Sequence, residues 1–249
     1  MLRQQITADL ATRTVAHQNT IASALHGGQF QQPGAPLVLL ADGDSWFDYP
    51  LGGIPLVNRT DILAQLPGLC AQKPFILNLA HYGDATSTEL GLARVQKISH
   101  AIADHANGPF DAILFSGGGN DIVGDAFCIW LNDAASVNHD PARALDPVRF
   151  NAVLDVVQAS YLDLIGLRNE RLPGAPIFTH SYDFALPTGD RACPCIGPWL
   201  KPALDYCGWT DPVTAAAIVR NALTQFANLL AKLAADPANN LICIPTQGT

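Results

Sequence analysis

The sequence is short of charged residues, and above all of positive charge. Only 14 of its 249 residues are lysine or arginine, against 22 aspartates and glutamates, which gives a net charge of −8. Binding to a phosphate backbone requires clustered basic side chains, and the few present here are scattered along the chain. A nucleic-acid partner is therefore not expected, whereas neutral substrates are compatible with this charge.

Long apolar runs are also missing. No run of 18 or more apolar residues occurs, so no membrane-spanning helix is expected. Residues 1–28 contain no apolar signal core, which makes a cytoplasmic location the default expectation. A secreted protein whose signal had been removed would have the same sequence, so secretion stays open.

No standard zinc-binding pattern occurs among the six cysteines. Cys193, Cys195 and Cys207 lack the paired two-residue spacers of zinc sites, so a metal site is not expected. A disulfide from Cys207 to Cys193 or Cys195 remains open, because the segment around them is rich in proline and glycine and poor in core residues.

What the sequence does contain is apolar material, 49% of all residues, arranged in short runs that alternate with helical patterns. Strands are predicted at about residues 36–42, 75–80, 110–115, 175–180 and 240–245. Helices are predicted between them at about residues 61–70, 88–105, 147–167 and 211–235. This alternation predicts an α/β fold, with a five-stranded parallel sheet, right-handed crossovers and helices on both faces.

No linker rich in serine, glycine or charge divides the chain, so one domain spanning residues 1–249 is predicted. A helical pattern over the first 25 residues ends at a glycine pair, which makes residues 1–28 an N-terminal helical extension. Two irregular stretches, 122–147 and 181–211, are predicted to be insertions over the carboxyl ends of the strands.

Small polar residues follow the first three predicted strands. The first strand leads into Gly43-Asp44-Ser45, the second into Gly83, and the third into Gly118-Gly119-Asn120-Asp121. Because the carboxyl ends of parallel strands share one sheet edge, these residues are expected to converge. Ser45 would supply a nucleophilic oxygen, while Gly83 and Asn120 would supply N–H donors for an oxyanion. Alternatively, the first motif is only a strand-to-helix turn with Asp44 or Ser45 as N-cap.

These three stretches resemble blocks I, II and III of the SGNH hydrolase superfamily, the GDSL-type esterases and lipases. The resemblance runs from about residue 36 to the end of the chain and is most specific in the Gly-x-Asn-Asp block. It implies a flavodoxin-like three-layer α/β/α sandwich and a serine esterase that needs no metal or organic cofactor. Its nucleophile would be Ser45, and its oxyanion donors would be the Ser45 N–H, Gly83 and Asn120. Trp46 replaces the leucine of the family motif, which suggests an aromatic-lined entrance.

One part of the family pattern is not found. The family carries an Asp-x-x-His block after its last strand, and here no histidine follows His180. A tail that continues beyond the given residues would account for this, as would a non-catalytic ligand-binding module that has lost the base. A third explanation is a replacement base, for which His180 at the end of the fourth strand is the leading candidate. For His180, a structural role is the stronger alternative. His81 is expected to line the pocket, with the same alternative.

Aromatic residues are concentrated in the predicted loops near these strand ends: Trp46, Phe47, Tyr49, Trp130, Trp199, Tyr206 and Trp209. Exposed loop aromatics are typical of a binding surface, and Trp46 and Trp199 are the candidates to contact substrate. The alternative is that they pack the two insertions onto the sheet. The expected partner is a small-molecule ester with an apolar acyl or aryl group, a lipid ester or a sugar acetate.

Overall fold

A computed structural model of the chain describes residues 2–49, 61–82, 92–124, 126–190 and 198–248. Its centre is one sheet of five parallel strands in the order β2-β1-β3-β4-β5. The strands are β1 (Val38–Gly43), β2 (Phe75–Asn78), β3 (Ala112–Ser116), β4 (Ile177–His180) and β5 (Leu241–Ile244). All five lie within the predicted apolar runs or within a residue of their ends, which confirms the α/β fold class predicted from their alternation with helices.

Eight α-helices are assigned within the described residues. They are α1 (Leu2–His26), α2 (Ile62–Leu69), α3 (Leu92–Ala103), α4 (Gly119–Val123), α5 (Phe127–Trp130), α6 (Pro147–Arg171), α7 (Lys201–Tyr206) and α8 (Pro212–Ala234). Short 3-10 turns lie at Gln29–Gln31, His105–Asn107, Ala135–Val137, Pro141–Arg143 and Pro237–Asn239. The two predicted insertions thus contain short helices, although residues 125 and 191–197 lie outside the described residues.

The two longest crossover helices begin in the same way. At α6, the Asp146 side chain accepts hydrogen bonds from the backbone N–H groups of Val148 and Arg149, and proline occupies the first helical position. At α8, Asp211 accepts from the Thr214 N–H and is also followed by proline. An aspartate cap satisfies donors that have no partner within the helix, and proline at this position loses no hydrogen bond. The Asp-Pro pairs therefore fix where these helices start.

The crossovers decide which helices lie on which face of the sheet. The connections from β2 to β3, β3 to β4 and β4 to β5 all run in one direction across the sheet, so right-handed crossovers place α3, α6 and α8 on the same face. The main core lies there, with Leu40 and Ile113 packed among Val157 and Phe226. The β1-to-β2 connection runs the other way, and its helix α2 packs through Leu63 on the opposite face.

Helix α6 is, among the described residues, the one helix long and apolar enough to cross a membrane by length and composition. In this structure it contributes to the core through a series of buried side chains: Phe150, Val153, Val157, Ser160, Tyr161, Leu164, Ile165 and Arg168. A core helix satisfies the same criteria of length and composition, so these criteria alone do not indicate a membrane span.

Arg168, near the end of α6, is a buried guanidinium group. It donates to the backbone oxygens of Ala175 and Asn239, which directly precede the lead-ins to β4 and β5. Its Nε donates to the Asn169 side chain at 3.0 Å. The charge is therefore satisfied by fixed dipoles, and it joins one helix end to the starts of two neighbouring strands.

Candidate active site

The carboxyl ends of β1 and β3 meet at a glycine. Gly43 is in register with Ser116, and the next residue, Asp44, donates its N–H to the Ser116 carbonyl oxygen at 3.0 Å. The φ angle of Gly43 is 149°, and a Cβ atom built on it would lie 2.1 Å from that same oxygen. Only glycine allows the two strand ends to approach this closely.

Ser45 lies on a tight turn that follows β1. The Asp44 carbonyl oxygen accepts from the N–H groups of Phe47 at 3.0 Å and Asp48 at 3.1 Å, and the Asp44 side chain accepts from the Trp46 N–H at 3.1 Å. Ser45 itself is half-buried. Within the described part of the chain, no group hydrogen-bonds to its hydroxyl or accepts its N–H. The turn therefore holds Ser45 while leaving its hydroxyl and amide available to a ligand.

Asn120 lies at the neighbouring strand end. Helix α4 begins directly after β3, and Asn120 is its second residue and half-buried. Gly118 precedes the helix with φ of 104°, where a Cβ would come within 2.8 Å of the Phe226 ring. Because β1 and β3 are adjacent, the structure places Ser45 and Asn120 at the same sheet edge. Gly83, the other predicted oxyanion donor, lies outside the described residues.

Beneath the Ser45 turn lies a carboxylate with almost no solvent exposure. Asp44 is 1% exposed and accepts three hydrogen bonds. The Trp46 N–H and the Ser116 hydroxyl, at 2.8 Å, donate to Oδ1, and the Tyr182 hydroxyl donates to Oδ2 at 2.5 Å. A buried carboxylate is tolerated when donors satisfy it in this way.

His180, the last residue of β4, belongs to the same network. The Tyr182 N–H donates to its Nδ1 at 3.3 Å, so the ring proton lies on Nε2. Nε2 then donates to the Ser116 hydroxyl oxygen at 2.9 Å, and the Ser116 hydroxyl in turn donates to the Asp44 carboxylate. We call Asp44, Ser116, His180 and Tyr182 the buried network.

Burial sets the charge of the buried network. It raises the pKa of Asp44 to about 6, against the lowering effect of the donors Tyr182, Ser116 and Trp46. It lowers the pKa of His180 to about 4. Burial, and then the Asp44 charge, raises the pKa of Tyr182 well above its ordinary value. At neutral pH the network therefore carries a single negative charge, on Asp44, next to the Ser45 turn.

These two shifts predict opposite pH dependences of stability. Asp44 binds its proton more tightly when folded, so its contribution is fully present below its ordinary pKa of 3.8 and is lost as pH rises through about 6. His180 is the reverse, and its contribution is lost as pH falls from 6.5 towards about 4. Each amounts to about 3 kcal/mol, and in the wild-type protein the two largely cancel.

Single replacements are expected to expose each contribution. Relative to the wild type, the free energy of unfolding of Asp44→Asn should rise with pH between about pH 4 and pH 6, and that of His180→Gln should fall. Urea unfolding at a series of pH values measures both differences, and surface carboxylates cancel because all three proteins share them. Parallel curves for the three proteins would contradict the assignment of charges.

Ser116, His180 and Asp44 resemble a catalytic triad in composition but not in geometry. The Ser116 side chain is fully buried, so no substrate reaches its hydroxyl. The carboxylate contacts the serine instead of the histidine, whose Nδ1 is occupied by a backbone N–H. A triad needs an accessible nucleophile and a carboxylate that orients the base, and neither condition is met here. The described histidines also include none that hydrogen-bonds to Ser45.

A second buried carboxylate lies two residues before Asp44. Asp42 is fully buried, with the Lys97 ammonium at 2.7 Å from Oδ1 and the Arg94 Nε at 3.4 Å from Oδ2. The Arg94 guanidinium also lies over the Phe115 ring, 4.1 Å from its centre. This cluster joins α3 to β1 and brings two positive charges to the carboxylate that lies two residues before Asp44.

Of the aromatic residues expected to form a binding surface, some are exposed and others are buried in the core. Trp46 is 37% exposed, and its ring lies edge-on to His180, with 5.3 Å between ring centres. Trp199 is 52% exposed, whereas Trp209 is buried and donates to the Asn132 carbonyl oxygen at 2.9 Å. His81 stacks on Tyr82 at 4.4 Å. Trp46, Trp199 and Tyr82 thus present apolar surface to solvent, and Trp209 packs an insertion onto the core.

The open question about Cys207 has a structural answer. Its thiol is free and buried, and it lies 3.8 Å from the carbonyl oxygen of Cys128. A disulfide to Cys193 or Cys195 is therefore not formed in this structure, and those two residues lie outside the described part. Burial raises the pKa of the Cys207 thiol.

Among the described residues, no group of three or more histidine, cysteine or acidic side chains could hold a metal ion.

Comparisons with known proteins give similarity at the level of structure. No family model and no curated protein sequence matches the chain. An extracellular lipase from Streptomyces rimosus is 17% identical with a TM-score of 0.42, over 85% of this chain and 80% of the lipase. A phospholipase A1 from Streptomyces albidoflavus is 16% identical with a TM-score of 0.42, over 82% and 77%. AlinE4, an SGNH-hydrolase family esterase, is 18% identical with a TM-score of 0.34, over 83% of each chain.

These three solved structures are thus a lipase, a phospholipase A1 and an esterase. Their TM-scores and sequence identities are low, so the proposals that follow rest on the geometry of this chain and on the residues at its strand ends.

Proposed function

We propose that this protein is a serine esterase of SGNH type that hydrolyses carboxylic esters through an acyl-enzyme on Ser45. The observation that supports this most directly is the state of Ser45. It lies on a tight turn at the end of β1, beside the strand end that carries Asn120, and no described group binds its hydroxyl or its N–H. An alcohol and an amide left unpaired at one residue are what nucleophilic attack and oxyanion binding require.

The reaction would proceed in two displacements. The Ser45 Oγ attacks the ester carbonyl carbon and gives its proton to a general base, while the carbonyl oxygen becomes an oxyanion held by the Ser45 N–H, the Asn120 side chain and the Gly83 N–H. Collapse of this intermediate breaks the ester C–O bond, and the departing alcohol takes the proton from the base. Water then attacks the acyl-enzyme in the same manner and releases the acid. All of these steps use protein groups and water, so the proposal includes no cofactor.

The resemblance also concerns the general base. In the SGNH pattern that the chain resembles, the base is the histidine of an Asp-x-x-His block after the last strand, and we assign this role to no residue of the given sequence. His180 is a poor substitute, because its Nδ1 accepts a backbone N–H and its Nε2 donates to Ser116. Burial also lowers its pKa to about 4, which weakens it as a proton acceptor at neutral pH.

The substrate would be a small-molecule ester with an apolar acyl or aryl part. Trp46 directly follows the nucleophile and is partly exposed, and Trp199 offers a second exposed indole. Aromatic rings provide large apolar contact area at low entropic cost, and they also stack on sugar rings. Lipid esters and sugar acetates both fit this description. In this proposal His81 lines the pocket, whereas His180, which was predicted to contact substrate, is buried and contacts the Trp46 ring instead.

A non-catalytic binding module is the second candidate. It is favoured by one observation, which is that no described histidine hydrogen-bonds to Ser45 although all seven histidines are described. Such a protein would bind an ester or its analogue in the same pocket without turnover, because an alcohol without a general base is a weak nucleophile at neutral pH.

Covalent trapping distinguishes the two candidates. The protein is incubated with diethyl p-nitrophenyl phosphate, and hydrolysis of a short p-nitrophenyl ester is measured in parallel. An esterase is expected to lose activity as one diethylphosphoryl group becomes attached to the peptide that contains Ser45, with release of p-nitrophenol. Ser116 is the internal control, because its buried hydroxyl should remain unmodified. Binding of the ester with neither turnover nor labelling would favour the module, and labelling at another serine would overturn the assignment of Ser45.

A further inference from the structure

Tyr182 has an unusual backbone for an aromatic residue. It lies two residues after β4 with φ of 57°, in the left-handed region, and is 5% exposed. A bulky side chain rarely adopts this conformation, and residues that do so persist only when their surroundings hold them there. The contacts of Tyr182 therefore have to account for its conformation.

The hydroxyl end of Tyr182 contacts the Ser45 turn. It donates to Asp44 Oδ2 at 2.5 Å, and it lies 3.2 Å from the Ser116 hydroxyl oxygen. Asp44 directly precedes Ser45, and through its other carboxylate oxygen it holds the Trp46 N–H on the far side of Ser45. The Tyr182 hydroxyl thus donates to a side chain that belongs to the residue before Ser45 and accepts from the residue after it.

The ring of Tyr182 contacts the helix that carries the other candidate residue. A Cβ atom built on Gly119 would lie 2.3 Å from the Tyr182 Cε1, so the ring lies directly against the backbone of this glycine. Gly119 is the first residue of α4 and directly precedes Asn120. The ring cannot move away from this contact easily, because it is stacked on His180 at 4.5 Å and lies edge-on to Phe226 at 5.5 Å.

We propose that Tyr182 is a positioning residue that sets the separation between Ser45 and Asn120. One side chain contacts the residue before each of them, with a hydrogen bond at one end and van der Waals contact along the ring. This inference rests on the proposed esterase function, in which both residues must surround a single ester carbonyl. An oxyanion donor works only when it is held close to the required geometry, and a displacement of about 1 Å can cost about a hundredfold in rate.

The first test is Tyr182→Phe, which keeps the ring against Gly119 and removes the hydroxyl. We expect kcat for p-nitrophenyl acetate to fall by about ten- to a hundredfold, with KM changed by less than about twofold, because substrate binding does not depend on the alignment. If KM rose by the same factor while kcat stayed unchanged, the proposal would be overturned.

The pH profile of kcat supplies a second measurement, which should not change if the role of Tyr182 is purely structural. Loss of the Tyr182 donor should raise the pKa of Asp44 further. In this proposal the ionised carboxylate holds the Ser45 turn, so protonation of Asp44 should lower kcat, and this acid limb should shift to higher pH in Tyr182→Phe. Asp44 also contacts the Ser116 hydroxyl, through which it is linked to His180, and its charge acts on Tyr161. Asp42, with Arg94 and Lys97, lies two residues earlier in the chain. None of these is changed by the substitution, and an unshifted acid limb would count against the proposal.

A double-mutant cycle tests the ring contact. Gly119→Ala inserts a methyl group where the Tyr182 ring lies, and it should lower kcat by displacing ring and helix together. In a Tyr182→Ala background the space is vacant, so the same Gly119→Ala change should have less than about a third of its effect on kcat. Additive effects would show that the two residues act independently and would overturn the inference.

Tyr161→Phe is the matched control. This tyrosine is also fully buried, and its hydroxyl donates to the Gly117 carbonyl oxygen at 2.8 Å and contacts the Thr179 hydroxyl at 2.9 Å. The variant loses a buried phenolic hydroxyl from the same end of the sheet without touching Asp44 or Gly119. It should lower the midpoint of urea unfolding about as much as Tyr182→Phe does, while kcat stays within about threefold of the wild type. A kcat loss equal to that of Tyr182→Phe would mean that any buried hydroxyl has the same effect.

Amide hydrogen exchange separates failure of this inference from failure of the proposed function. If the wild type does not hydrolyse esters, the esterase proposal fails, and the positioning of the two segments can still be measured. Tyr182→Phe should accelerate exchange at Phe47 in the turn that carries Ser45, and Tyr182→Ala, which also removes the ring, should accelerate it at Ile122 in α4. Both N–H groups are hydrogen-bonded in the wild type. Tyr161→Phe should leave the Phe47 amide unchanged. Unchanged exchange at Phe47 in Tyr182→Phe, or at Ile122 in Tyr182→Ala, would overturn the inference whatever the activity.

Discussion

Replacing Ser45 by alanine is expected to lower kcat/KM for p-nitrophenyl esters by at least about a thousandfold. The substitution removes the attacking oxygen and leaves the oxyanion donors in place, so binding and a small residual rate should persist. Ser45 is half-buried and its hydroxyl has no described partner, so the free energy of unfolding should change by less than about 0.5 kcal/mol. Steady-state hydrolysis and urea unfolding of the same preparation measure both quantities.

Ser116→Ala is the matched serine replacement. It removes a hydroxyl that lies between Asp44 and His180 and is fully buried, so it should destabilise the protein by about 1 to 3 kcal/mol. Its activity should fall much less than that of Ser45→Ala, since Ser116 does not meet substrate. Full activity in Ser45→Ala, or a greater loss in Ser116→Ala, would remove Ser45 from the mechanism.

The largest effect on stability is expected from Gly43→Ala, at about 4 kcal/mol or more. The added Cβ would lie 2.1 Å from the Ser116 carbonyl oxygen, which is backbone and is held by the Asp44 N–H. The strand cannot move aside without breaking the pairing between β1 and β3. The φ angle of 149° adds a conformational cost for any residue with a side chain. Urea unfolding should show a large drop in the midpoint, or no folded protein at all.

Two other glycines separate the causes of this loss. Gly34 has φ of 76° with no atom within 4 Å of a Cβ, so Gly34→Ala carries the conformational cost alone, about 1 kcal/mol. Gly166 lies inside α6 with free space around its Cβ position, and Gly166→Ala should raise stability by about 0.5 to 1 kcal/mol. A Gly43→Ala loss no greater than that of Gly34→Ala would show that the collision with Ser116 is relieved.

Much of the fold was predictable because short local patterns in the sequence indicate the strands and the helix starts. Each strand is four to six residues long and contains a short apolar run, and the Asp-Pro pairs mark where α6 and α8 begin. The meeting of Ser45 and Asn120 at one edge also follows from parallel strands alone, without any knowledge of side-chain contacts. The predicted boundaries of the single domain, and the role of Gly83, stay predictions.

The buried network was not predictable, because nothing local distinguishes its members. Ser116 is a small polar residue at a strand end, and Tyr182 is one aromatic residue among several in an irregular stretch. Their contacts join positions 66 and 138 residues apart, so they exist only once β1, β3 and β4 are aligned. His180 and Ser116 could each be placed at a strand end from the sequence, but the hydrogen bond between them could not be predicted. The one available signal was that three polar residues end three strands of the same sheet.

Arg168 has a consequence for the order in which the chain acquires its structure. Its guanidinium group bonds the backbone at Ala175, which follows closely in sequence, and at Asn239, which is made some seventy residues later. During synthesis we expect this charge to stay hydrated until the lead-in to β5 has left the ribosome, because only then can it be buried with both of these hydrogen bonds formed. The last strand therefore does more than widen the sheet, since its arrival releases the water around a cation that the earlier strands cannot satisfy by themselves.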